Sequence, residues 1–379
     1  MPDRGTVFTV HPVSPRIGVA WDLANNHKTV ARASWGRYHD PNFTTFYEFM
    51  NTATATAKIT ARVLGPGNYQ ELTRVTPASN FGIDSNLTLS HTDHYMAGLE
   101  RELFADFSVK AQYIRMHFSN IIGFTDTGSL YAPATAPDPG PDGVLNNADD
   151  GPRLTVYTLT NPGNAFLTLT NPPVAFRRYN GFQLTARKRD SHNWQAQLSW
   201  TYSKSAGSVN NLINENTGTG ADTGMTGAFV NPNKGINNTG LNTFDFPNQV
   251  NLNGTYRVSY FGGATVSAIY RYTTGGAWGR TAVITATSAT PRLAQGNETV
   301  RIETRGTRRT DAVNSIDLRV EKTFPIGRGR TTIFADVFNA NNQGTVALAQ
   351  VTETSGANFG APLAWVNPRT LQLGFKLSF

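Results

Sequence analysis

Apolar and polar residues alternate with a period of two in segment after segment of this chain. In 370–379, Leu371, Leu373, Phe375, Leu377 and Phe379 fall on one face and Thr370, Gln372, Gly374, Lys376 and Ser378 on the other. That period belongs to a strand. The same alternation runs through Ile17 to Leu23, then returns through Ala31, Ala33 and Trp35 after a turn at Asn25-Asn26. It recurs at 94–103 and 107–113 about a turn at Ala105-Asp106, and at 182–187 and 194–202 about Ser191-His192-Asn193. Two more pairs follow, 250–256 with 266–272 about Gly262-Gly263, and 315–321 with 333–337 about Pro325 to Arg330.

The connections between these strands alternate short and long, and the long ones run to dozens of residues, as in the irregular stretch from about Tyr38 to Asn86. Several structureless loops of that length do not suit a compact soluble domain, whereas outer-membrane barrels pair short periplasmic turns with long extracellular loops. Aromatic residues gather at strand ends as girdles do: Trp21, Trp194, Tyr256 and Phe379 near the short turns, Trp35, Trp200, Tyr202 and Tyr272 near the loops. The expected fold is all-β, a transmembrane antiparallel up-and-down barrel of the outer membrane. Counting gives about eleven strands, an odd number, where bacterial single-chain barrels close with an even one. The expectation is therefore a partial barrel, roughly half of a twenty-two-stranded one.

Composition narrows the alternatives. Mean hydropathy is -0.34, and no apolar run is long enough for a membrane-spanning helix. A barrel strand conceals its hydrophobicity by alternation. Cysteine is absent, which removes disulfides, thiolate metal sites and a cysteine nucleophile. The net charge of +7 comes from 33 Lys+Arg against 26 Asp+Glu, with many arginines placed singly in strands, so no nucleic-acid partner is expected. Met1 to Gly5 shows no charged region followed by an apolar core, so an export signal is expected to lie upstream of this sequence.

Particular runs of residues add a resemblance. Ser14 to Asp22 followed by Lys28 to Tyr38 resembles the mid-barrel hairpin of TonB-dependent receptors. So do Leu99-Glu100-Arg101-Glu102-Leu103, Trp200-Thr201-Tyr202-Ser203-Lys204 and Asp336-Val337-Phe338-Asn339. The large polar loops are most similar to the Oar-like branch. The resemblance implies that residues 1–379 are the carboxy-terminal barrel portion of such a receptor, without its plug, for energised uptake or binding of a large ligand. It implies outer-membrane lipid, the barrel-assembly machinery and, through an amino-terminal part outside this sequence, the TonB complex as partners. A passive porin or surface adhesin is the alternative.

No catalytic motif stands out, and an enzyme is not expected. His91 and Asp93 share a face while His94 points the opposite way, which is awkward for a metal. Arg32, Glu100, Glu102, Lys110, Arg187, Arg319 and Glu321 are lumen-facing, expected to pair with one another or with a plug. Lys188 and Lys322 face lipid beside short turns, within reach of water. No cofactor is required. Calcium is one reading of the loop from Ala136 to Arg153, where Asp138, Asp142, Asn146, Asp149 and Asp150 offer oxygen ligands and Gly140, Gly143 and Gly151 allow tight bends; a solvated hairpin tip is the other. Leu371, Leu373, Phe375, Leu377 and Phe379 resemble the carboxy-terminal signal read by the assembly machinery.

Overall fold

Alternating segments joined by tight turns fold as antiparallel hairpins, and a computed structural model of the chain, describing residues 9–40, 58–75, 80–214, 219–220, 222–347 and 351–379, places eleven of them side by side in one sheet. In chain order they are β1 (Arg16–Asp22), β2 (Thr29–His39), β3 (His91–Phe104), β4 (Phe107–Ser119), β5 (Arg177–Ser191) and β6 (Trp194–Gly207). β7 (Asn248–Val258), β8 (Ala264–Thr273), β9 (Val313–Ile326), β10 (Gly329–Phe338) and β11 (Thr370–Ser378) complete it. Each strand pairs antiparallel with the next, a meander without crossover. All eleven strands expected from the alternation are present. The expectation drawn from Met1 to Gly5 lies outside the described residues.

Turn chemistry fixes the registers. His192 and Asn193, between β5 and β6, have φ of 54° and 66°, and Gly262 and Gly263, between β7 and β8, have 62° and 82°. Two consecutive positive φ angles suit the right-handed twist of a hairpin, and glycine adopts them without a Cβ clash. One register row then carries Trp21, Ala31, Leu99, Ala111, Leu184, Trp200, Val250 and Tyr272 across β1 to β8. The adjacent row, on the opposite face, carries Ala20, Arg32, Gly98, Gln112, Gln183, Thr201, Gln249 and Thr273. The apolar face is exposed along its length, with Leu252, Tyr256, Leu318 and Leu373 among its uncovered side chains. A contiguous surface of that kind is stable against lipid and not against water. The sheet is open: among the described residues β1 pairs only with β2, and β11 only with β10.

The long connections differ from the expectation. They are not structureless: Lys58–Gly65 pairs with Asn68–Val75 about Gly65-Pro66-Gly67, and Tyr131–Asp138 with Gly151–Leu159. Leu167–Thr170 lies between Phe81–Ile83 and Gly123–Asp126. Among the described residues, every buried hydrophobic side chain belongs to these connections and none to a spanning strand. One cluster joins Phe81, Leu87, Phe124, Leu167, Leu169 and Met225; a second joins Ala136, Val156, Ile284, Leu293 and Val300; a third joins Ile121, Ala175 and Val209. The physical reason is that a spanning strand has lipid on one side and lumen on the other, so only the connections can exclude water by packing on one another.

Candidate functional site

Two surfaces can carry function: the polar face of the sheet and the loop layer beside its open end. The polar face places opposite charges across neighbouring strands, because residues facing each other in adjacent strands lie within side-chain reach. Arg32 on β2 meets Glu100 on β3 at 2.5 Å; on the opposite face, two residues beyond the Trp35–Tyr95 pair, Arg37 holds Asp93 through two hydrogen bonds of 2.9 and 2.8 Å. Arg319 on β9 holds Asp336 on β10 at 2.7 and 3.0 Å, with Glu321 at 3.9 Å, and Arg271 meets Asp317 at 2.7 Å. Glu102, Lys110 and Arg187 stand outside these pairs. The expected mutual pairing thus accounts for Arg32, Glu100, Arg319 and Glu321. Among the described residues the three others form no ion pair.

His91, Asp93 and His94 separate as the alternation requires. The His91 ring nitrogen is 3.8 Å from the Asp93 carboxylate, which Arg37 already engages, while His94 packs against Tyr38 with ring centroids 6.4 Å apart. On the apolar face, Lys188 bends to the turn: its Nζ donates to the Arg189 carbonyl at 2.7 Å and lies 5.0 Å from the Trp194 ring. Lys322 rests over Phe324 in the same manner, 4.9 Å from the ring. Both follow the expected path of a lysine stem in lipid with its head at the interface.

The five expected calcium ligands do not converge. Asp138 is buried and held by Arg280 through two bonds of 2.8 and 2.5 Å. Of the others, Asp142 accepts from the Val144 amide at 2.8 Å and from Asn147 at 2.7 Å, and Asp150 accepts from the Asn146 amide at 2.7 Å. Asp149 is exposed and only 3.5 Å from the Asp142 amide. Acidic and amide residues capping turns are the ordinary chemistry of a hairpin tip. Among the described residues no three His, Asp or Glu side chains are grouped to hold a metal ion. If the loop is a solvated hairpin tip, calcium up to the millimolar range will leave its protease cleavage in isolated outer membranes unchanged; protection at micromolar calcium, with magnesium inert, would support the calcium reading.

The loop layer holds two buried cations, Arg280 and Arg305, and a partly buried one, Arg309, none of which the sequence marks out. Besides Arg280 with Asp138, Arg305 reaches Asp222 at 3.4 Å, and Arg309 pairs with Asp245 while donating to the Asp245 carbonyl at 2.7 Å. Arg305 also donates to the carbonyls of Gly207 and, at 3.1 Å, Leu241, and to Asn238 and Asn242, both at 3.3 Å. Burial lowers its pKa to about 10, with Asp222 opposing the shift, so it is charged at neutral pH. Its partners lie 63 to 98 residues away in sequence. No local spacing announces such a staple.

The family model for an outer membrane beta barrel domain matches residues 2–301. No curated protein matches the chain. Among solved structures, the outer membrane transporter YddB from Escherichia coli is similar over 97% of this chain and 41% of its own, with 15% identity and a TM-score of 0.56. The ferripyoverdine receptor of the outer membrane of Pseudomonas aeruginosa is matched over 96% of this chain and 32% of its own, with 13% identity and a TM-score of 0.49. The siderophore receptor PirA from Acinetobacter baumannii is matched over 97% and 41%, with 11% identity and a TM-score of 0.49. The likeness in fold rests on the first of these, and this chain spans 41% of its length. Matched over most of its length and built as a lipid-facing antiparallel sheet, the chain belongs to the outer membrane beta barrel domain family and lies in the bacterial outer membrane.

Proposed function

We propose that the chain forms the barrel portion of a TonB-dependent receptor, of the Oar-like kind, that takes up or binds a large ligand. The observation that carries this reading is the width of the sheet. Eleven strands at a spacing of about 4.8 Å already make a sheet of about 50 Å, wider than the circumference of an eight-stranded barrel, and the sheet is still open. A barrel of that size encloses a lumen that side chains cannot fill, which leaves room for a plug or a permeant. Glu102, Lys110 and Arg187 offer the polar contacts a plug needs, and the packed loop layer offers a surface for a ligand. A plug and a TonB-contacting segment would complete the receptor; a passive porin needs neither.

Conductance separates the two. Protein extracted from outer membranes of cells producing it, inserted into a planar bilayer, is expected to show no stable open channel, because the lumen is occupied. A steady, voltage-independent conductance would favour the porin. Assembly gives a second test. Phe379 is fully exposed just beyond β11, and Leu371, Leu373, Phe375 and Leu377 precede it on the same exposed face. A charge at the lipid interface costs about 1 kcal/mol or less, so stability alone predicts a small loss for Phe379→Asp. If the assembly machinery reads this strand, immunoblots of outer-membrane fractions will show a severalfold drop; unchanged levels would refute that role.

A further inference from the structure

A polar cavity of about 400 Å³ lies within the loop layer, lined by Asp222, Thr226, Lys234 and Asn238 from the connection after β6 and by Thr281, Thr299 and Arg301 from the connection after β8. Its floor has spent its hydrogen bonds. Asp222 accepts from the Asn210 and Asn211 amides at 2.5 and 3.0 Å and faces Arg305; Asn238 donates to the Ser208 carbonyl at 2.7 Å; Thr281 shares a 3.0 Å bond with Thr354. Its walls have not. Thr299 and Arg301 are two apart on one strand and so share a face, with Arg301 opposite Thr281 in register. Arg301 and Lys234 each form one long ion pair, at 3.7 Å with the Glu353 carboxylate and at 4.0 Å with that of Glu298. Lys234 makes one long bond of 3.4 Å to the Thr299 carbonyl, and among the described residues the Thr226 and Thr299 hydroxyls make none.

Neither Glu298 nor Glu353 lines the cavity, whereas the Asp222 carboxylate does. Glu298 is buried and accepts from Asn231 at 2.9 Å, and burial raises the pKa of Glu353 while Arg301 opposes the rise. The space therefore meets a ligand with two cations held only in long ion pairs, two hydroxyls, and one carboxylate, Asp222, that Arg305 and the Asn210 and Asn211 amides already engage. We infer that this cavity binds a small hydroxylated carboxylate, the size of a sugar acid, its carboxylate between Lys234 and Arg301 and its hydroxyls on Thr226 and Thr299. Planar bidentate recognition favours Arg301 for the carboxylate, with Lys234 as a point charge. The inference rests on the receptor reading for its purpose, because an outward cavity is where a receptor would meet its ligand.

The test is calorimetric titration of the detergent-extracted protein with glucuronate, glucose and sulfate as probes. Glucuronate is expected to bind, glucose and sulfate at least tenfold more weakly, and Arg301→Gln and Lys234→Gln each to weaken glucuronate tenfold or more. Thr299→Val, which removes a hydroxyl and leaves both charges, is expected to weaken glucuronate severalfold and sulfate not at all. Near-ultraviolet circular dichroism matching the unaltered protein confirms that each variant is folded. No binding of glucuronate, equal binding of glucose or sulfate, or undiminished binding by both charge variants in folded protein would overturn the assignment. Titration needs no transport, so it can fail while the bilayer remains silent, and a conducting pore can still bind the probe.

Discussion

Arg305→Met is expected to destabilise the loop layer by about 3 to 5 kcal/mol, because it leaves the buried Asp222 carboxylate without its cation. The methionine replaces the stem of the side chain and none of its bonds to Gly207, Leu241, Asn238 and Asn242. The stretch near Gly207 and the connection after β8 then lose the group that holds them together. Arg257→Met is the contrast, since Arg257 and Asp190 form a pair about half exposed at the short-turn end, where such pairs contribute at most about 1 kcal/mol. Limited proteolysis in isolated outer membranes reads both: cleavage in the loops should rise sharply for Arg305→Met and hardly for Arg257→Met, with the spanning strands protected in each. The double variant Arg305→Met/Asp222→Leu should recover only part of the loss, because the Asn210 and Asn211 amides still need an acceptor.

Leu252→Arg is expected to cost about 2 to 4 kcal/mol, and Asn253→Arg close to nothing. The two residues are adjacent near the middle of β7, yet Leu252 lies in a row with Leu198, Tyr270 and Ile316, and Asn253 in a row with Gln197 and Asp317. A guanidinium at the first position meets the hydrocarbon of the bilayer. At the second it meets the polar face of the sheet. The measure is the denaturant midpoint of protein extracted from outer membranes and restored to lipid vesicles. Equal losses at the two sites would mean that β7 does not divide lipid from lumen.

The spanning strands were legible because their environment is simple. Lipid on one face and water or protein on the other imposes a period of two over about ten residues, and turns such as His192-Asn193 and Gly262-Gly263 mark the ends. Ile269 is an exception, an apolar residue opposite Asn253 and Asp317 on the polar face. The loop layer was not legible for the opposite reason. Its strands are short, as at Phe81–Ile83 and Thr281–Ile284, and its partners are remote, so that Leu167 pairs with Phe81 and Arg280 with Asp138 without any local periodicity. Asp138 shows the consequence for a site. Its neighbours in sequence suggested a cation loop, whereas its neighbour in space is an arginine 142 residues away. The cavity between Lys234 and Arg301 was invisible in the same way, since it is built from two connections remote in sequence.

One face of the eleven-strand sheet lies against lipid and the other faces away from it. With no native cysteine, the chain accepts single cysteines at successive positions of β7 from Val250 to Tyr256, each carrying an environment-sensitive fluorophore, in vesicles containing nitroxide-bearing lipid. Strong quenching is predicted at Val250, Leu252, Gly254 and Tyr256 and weak quenching at Asn251, Asn253 and Thr255, whether or not a plug fills the lumen. Quenching that does not alternate, or that alternates with the opposite phase, would contradict the account.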